Sequence, residues 1–201
     1  MSLAKYKQKR KFDKTPEPVG GKSKAKFSIF VVQKHDASRL HYDFRLEAGG
    51  VLKSWAVPKG PSMKTEDKRL AMMVEDHPYD YKDFEGMIPK GNYGAGTVMV
   101  WDFGNYLAPG AKSKIESEKM VKAGLRKGEI KLVLNGKKLR GGFVLVHTKG
   151  QADNAWLLIK EKDEFVSKAD ATKQDKSAKT KRSLGQIAKA EDKIWHSNRK
   201  K

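Results

Sequence analysis

The run "LHYDFRLE" over residues 40–47 alternates strictly between two kinds of side chain, and it restricts the fold more than any other stretch. Successive strand residues point to opposite faces. Leu40, Tyr42, Phe44 and Leu46 therefore share one face, and His41, Asp43 and Arg45 share the other. The apolar set must meet a core. Gly49-Gly50 then offers a tight hairpin into 51–57. Further β-branched and aromatic runs fall at 27–33, 69–77, 96–104, 129–136, 142–149 and 155–162, with Asn135-Gly136 marking a second tight hairpin. Helical spacing is found over 115–128, where Ile115, Met120, Val121 and Leu125 recur and Gly128 gives a stop signal. About eight strands and one or two flanking helices predict a mainly β fold. The expected form is an antiparallel barrel, with a sandwich as the alternative and βαβ units disfavoured.

Length and composition set the boundaries. A chain of 201 residues with 38% apolar content fits one domain with arms. No apolar run reaches the roughly 18–20 residues of a membrane helix, and no apolar segment follows the charged start as in a secretory signal. The absence of cysteine excludes disulfides and thiolate metal sites. A cytoplasmic, nucleoid-associated protein is expected. The net charge of +19 is concentrated at the ends: residues 1–26 carry +7 and residues 165–201 carry +7. Both ends are poor in apolar residues and are expected to be mobile. The expected division is a basic N-terminal arm (1–26), a barrel domain (27–165) and a basic linker or tail (166–201). Such ends are either solvated tails or recruiters of a phosphate backbone. Charge alone does not separate nucleic acid from an acidic membrane surface.

Neighbouring residues on the polar face of 40–47 lie about 6–7 Å apart. His41 and Asp43 at that spacing can chelate a divalent cation, with His35 completing the set across a turn, and Arg45 can hold an anion beside it. The stretch 69–77 repeats the pattern: Arg69, Glu75 and His77 on one face, Leu70, Met72 and Val74 on the other. Two such strands suggest one polar cleft. Lys59, between prolines and glycine in "VPKGPS" (57–62), is held in a defined direction. The glycine-rich 88–98 lacks the Gly-Lys-Ser/Thr ending of a P-loop and reads first as a turn, second as a phosphate cradle. Trp55, Trp101 and Trp156 read as core. His147 and His196 have no acidic or histidine partner nearby and read as ordinary histidines. A rival is the two-His-one-carboxylate iron centre, with His77 as third ligand. That class needs one distal Arg and no broad positive field. Two Arg, a nearby Lys and a basic chain favour a phosphorylated substrate.

Residues 30–62, "FVVQKHDASRLHYDFRLEAGGVLKSWAVPKGPS", and 75–102, "EDHPYDYKDFEGMIPKGNYGAGTVMVWD", closely resemble the 3′-phosphoesterase module of bacterial DNA ligase D. The likeness extends through "WLLIKEKDEF" (156–165) and covers roughly residues 5–165. The resemblance implies a barrel-like fold of eight strands and manganese-dependent healing of 3′ ends in end joining, with zinc or cobalt as substitute ions. The implied reaction removes a 3′-terminal ribonucleoside by a phosphodiesterase step, then the 3′-phosphate by a phosphomonoesterase step. It places the metal ligands on His35, His41 and Asp43. Phosphate-contacting and catalytic side chains fall on Gln33, Arg45, Lys59, Arg69, His77 and Tyr81. The family's N-terminal motif falls on "KRKFDKTPEP" (9–18), adding Arg10 and Glu17; Lys11 stands where the family has aspartate. The implied partners are DNA or RNA-tipped DNA 3′ ends on a primer–template, a ligase or polymerase domain, and a DNA-end-binding repair protein. "SLGQIAKAEDKIWHSNR" (183–199) resembles the linker to a ligase domain. The alternative from another class is a non-catalytic, basic end-binding accessory module of a ligase complex.

Overall fold

Alternation in β2 (Leu40–Ala48) sorts the side chains as expected: Tyr42, Phe44 and Leu46 are buried, and His41, Asp43 and Arg45 occupy the other face. Leu40, at the strand's start, is 46% exposed and takes no part in the core. The computed structural model describes residues 3–15, 17–21, 23, 26–148, 150 and 152–190. The other strands are β1 (Ser28–Asp36), β3 (Val51–Val57), β4 (Lys68–Pro78), β5 (Gly86–Ile88), β6 (Gly96–Leu107), β7 (Glu129–Gly136), β8 (Arg140–His147) and β9 (Ala155–Lys160). All pairings are antiparallel, in the order β1-β2-β3-β4-β9-β8-β7-β6-β5, and β1 also pairs with β6. The result is a closed eight-stranded barrel with β5 added along β6. Trp55, Trp101, Phe30, Phe44 and Phe143 fill its interior, each fully buried, and Trp156 joins them.

Gly49 and Gly50 make the expected β2–β3 turn, both with positive φ (67° and 78°). The second hairpin turns two residues later than Asn135-Gly136 suggests. Gly136 and Leu139 close the turn and Lys137-Lys138 form its tip. The buried Asp102 carboxylate explains this, because it accepts from the backbone N–H groups of Lys137, Lys138 and Leu139. Helix α2 (Lys114–Lys127) is capped by Ser113 at its start and by left-handed Gly128 at its end. No helix among the described residues is long and apolar enough to cross a membrane.

The ends, expected to be mobile, are docked where they are described. Helix α1 (Leu3–Gln8) buries Tyr6 completely in a second apolar cluster with Leu52, Tyr81, Phe84 and Ile88, outside the barrel wall. Residues 166–190 form a strap. Ala171 and Ile187, the latter in α3 (Leu184–Lys189), join the main core. Ser177 and Thr180 donate to buried Glu85, and Trp101 Nε1 donates to the Gln174 carbonyl. The apolar residues Ala171, Ala178 and Ile187 of this lysine-rich stretch are buried. Residues 191–201, including His196, lie outside the described residues.

Candidate metal centre and active site

The β1–β2 register sets His35 opposite His41, Gln33 opposite Asp43 and Val31 opposite Arg45. Opposed residues hold their Cβ atoms about 4.5–5.5 Å apart, so one hairpin brings both imidazoles and the carboxylate together. Their donor atoms lie within 4.8 Å of one another. His35 Nδ1 is 3.8 Å and His41 Nε2 is 3.9 Å from the Asp43 carboxylate. His41 Nδ1 donates to the Arg39 carbonyl at 2.9 Å, which leaves the Nε2 lone pair toward Asp43. The triad lies on the outer face of the barrel wall. Burial alone would raise the pKa of Asp43, yet Arg45 and the two imidazoles hold it below the usual carboxylate range. An ionised carboxylate beside two imidazoles suits a divalent cation.

Arg45 is braced on both sides. Its Nε donates to Gln33 Oε1 at 2.7 Å and an Nη to Asp43 at 3.0 Å, while Nη1 is buried and has no hydrogen-bond partner among the described residues. Gln33 uses its own N–H groups on the carbonyls of Tyr81 and Phe84. Fully buried, it braces Arg45.

A cavity of about 230 Å³ opens over the triad, lined also by Arg10, Arg45, Glu75, His77, Tyr81 and Tyr93. The N-terminal arm forms one wall. Arg10 donates to Glu17 at 2.7 Å, to Glu75 at 3.0 Å and to His77 Nε2 at 3.2 Å. Glu17, expected as a substrate contact, is 1% exposed and bonded to Arg10 and Tyr81; a carboxylate so placed holds cations in position and repels phosphate. Burial, reinforced by Arg45 and Arg10, lowers the His77 pKa well below its ordinary value. Burial next to Glu17 raises that of Tyr81, so both side chains are neutral.

The structure corrects the pattern read in 69–77. A bulge in β4 sets Leu52 opposite His77 and Ser54 opposite Val74. Before it, Ala71 and Met73 face the core while Leu70 is 40% exposed; after it, Glu75 and His77 reach the cavity. Arg69, before the bulge, is parted from them and pairs with Asp67 at 2.7 Å. Lys59 is exposed on the loop after β3, and neither residue lines the cavity. His77 does not join the histidine–carboxylate cluster, which the iron-centre alternative requires. His147 bonds the Asp153 carbonyl and packs on Trp156. Lys11 is exposed on a turn, its carbonyl accepting from Lys14 and Thr15. The glycine-rich stretch is a turn that delivers Tyr93 and Gly94 to the cavity rim. Lys9 and Tyr93 were not expected in the site; Lys9 bonds both Glu75 and Tyr93. Only the position of Lys9 beside Arg10 hinted at this.

The DNA Ligase D 3′-phosphoesterase domain family matches residues 33–147. The multifunctional non-homologous end joining protein LigD of Pseudomonas aeruginosa is 50% identical over 165 residues, covering 80% of this chain and 19% of that protein. Its namesake in Mycolicibacterium smegmatis is 43% identical over 169 residues, covering 81% and 21%. The Mycobacterium tuberculosis end joining DNA repair protein LigD is 41% identical over 170 residues, covering 84% and 21%. This chain thus spans about a fifth of the length of each relative, and it belongs to the DNA ligase D 3′-phosphoesterase domain family.

Proposed function

We propose that the chain is a manganese-dependent 3′-end-healing phosphoesterase of end joining, with zinc or cobalt able to replace manganese. It removes a 3′-terminal ribonucleoside and then the 3′-phosphate, leaving a 3′-hydroxyl for a ligase or polymerase domain. One observation carries this: three metal-donor atoms converge beside Arg45, whose buried Nη1 has no partner among the described residues. A buried, unpaired guanidinium N–H is costly, and a phosphoryl oxygen satisfies it with a charge-assisted bond.

His35, His41 and Asp43 would hold the ion, which supplies Lewis-acid charge to a phosphoryl oxygen. Arg45 and Arg10 flank the same cavity and neutralise charge growing on the phosphoryl oxygens. Gln33, Glu17 and Glu75 fix those guanidiniums before substrate arrives. In the free protein His77 Nδ1 donates to the Glu75 carbonyl and Nε2 accepts from Arg10. A bound phosphate opposes Arg45 and Arg10, which add to burial in lowering the His77 pKa, and so favours protonation of the ring for the leaving oxygen. Tyr81 supports Arg45 with its ring, 4.9 Å from the guanidinium carbon. Lys59 and Arg69 lie off the cavity wall and serve the flanking nucleic acid.

Metal-stripped protein should be incubated with a primer–template ending in one ribonucleotide, with and without manganese. Manganese-dependent appearance of the 3′-phosphate product, followed by the 3′-hydroxyl, is expected. A primer that is bound but uncut under every metal would replace this proposal with the accessory end-binding module.

A further inference from the structure

The tip of the β7–β8 hairpin and the C-terminal strap enclose a second cleft, of about 350 Å³, lined by Lys137, Lys138, Lys176 and Lys181 with Asp175 as its acidic side chain. Two of its ammonium groups are met by carbonyls. Lys138 Nζ donates to the carbonyls of Gln174 and Lys176, and Lys181 Nζ to that of Ala178. The floor is rigid, because buried Asp102 holds the backbone of residues 137–139. Lys181 has φ of 63°, the one positive value among described non-glycine residues. That conformation is strained for an L-residue, and here it places one more cation on the cleft. Burial lowers the pKa of Lys138 to about 8, with Lys34 and Lys181 acting in the same sense against Asp102 and Asp175. Four crowded cations with so little acid nearby are relieved by an anion.

The geometry favours an extended polyanion over a single phosphate. The backbone N–H groups that could have made an anion nest are occupied by Asp102. No arginine among the described residues lines the cleft, so their side chains offer no bidentate recognition. Lysines around an open cleft act as point charges along a track, which suits a phosphodiester backbone read without regard to sequence.

We propose that this cleft is a second binding site for the nucleic-acid backbone, gripping phosphates remote from the 3′ end being processed. It rests on the assignment above of a nucleic-acid 3′ end as substrate.

The test compares wild type with Lys137→Gln/Lys176→Gln/Lys181→Gln. Anisotropy would follow binding of a 3′-phosphorylated duplex, long enough to span the barrel, across a salt series. Hydrolysis of a dinucleotide 3′-phosphate, too short to reach the cleft, would be measured with manganese. The triple variant should bind duplex at least about tenfold more weakly. Its log K against log salt should be shallower by about 2–3, at about 0.9 per phosphate contact. Dinucleotide turnover should be unchanged, and the triple arginine variant should keep the wild-type slope. Should the glutamine variant melt early, Lys176→Glu on the exposed strap decides, with an expected slope change of at least about 1. An unchanged slope in either variant overturns the cleft. Failure of wild type on the dinucleotide overturns the phosphoesterase assignment instead, and the slope still decides the cleft.

Discussion

His77 shows how a single ring can depend on its surroundings. It is 3% exposed, with one nitrogen donating to a carbonyl and the other accepting from Arg10. The contact with Arg10 requires the neutral ring, and burial with Arg45 and Arg10 depresses its pKa well below 6.5. In the unfolded chain the same ring takes a proton near pH 6.5. Between those two pKa values the unfolded state binds more protons, so stability falls as pH drops below 6.5. The contribution is up to about 1.4 kcal/mol per pH unit. Denaturant unfolding of metal-free protein at several pH values below neutrality should show this slope, and His77→Gln should be shallower by that amount. An equal slope in the variant would mean that the ring is protonated in the fold. The polar face bearing His41, Asp43 and Arg45 was legible from alternation alone. The bonds of Gln33 and Glu17 were not, because spacing gives the face of a residue and not its partner. Only the family resemblance pointed to those two residues, and it did not distinguish a brace from a substrate contact.

Among the elements, the barrel strands were legible because each carries its own period and is punctuated by turn residues. What escaped were features decided by tertiary contact. The bulge in β4 reverses the facing of Leu70 and Ala71 relative to Glu75 and His77, and nothing in the 69–77 alternation marks it. Strand β5, with three residues, is too short to show a period. The strap was not legible for a related reason: its composition is that of a solvated tail, and its anchors are single residues far apart. Ile187 is 2% exposed in the main core, and α3 carries a capping box from Ser183 and Gln186. Ile187→Ala should therefore cost about 2–4 kcal/mol. At about 3 °C per kcal/mol for a chain of this size, Tm should fall by roughly 6–12 °C. Gln in place of exposed Lys189 should leave Tm within a degree or two. A mobile tail would give no change for either, so calorimetry on the two variants separates strap from tail.

At the scale of the molecule, the site divides between two bodies of structure. The barrel wall supplies the metal triad from one hairpin, β1–β2. The arm with Arg10, the bulged end of β4 and the turn bearing Tyr93 supply the remaining walls. Ion binding should therefore depend on the hairpin alone, and phosphoester turnover on both. Binding to the folded state alone raises stability by RT ln(1 + [L]/Kd), about 2.7 kcal/mol at a hundredfold excess over Kd. For a chain of this length manganese should then raise Tm by roughly 5–11 °C. Asp43→Ala should abolish the shift, since it removes the anionic donor and leaves two imidazoles. Arg10→Ala should lower the starting Tm, because it strands buried Glu17 and Glu75 at a cost on the order of 3–5 kcal/mol. Its manganese-dependent rise should nevertheless match wild type, while turnover collapses. Loss of the shift in Arg10→Ala would make the arm part of the metal centre, and the two-body division would fail.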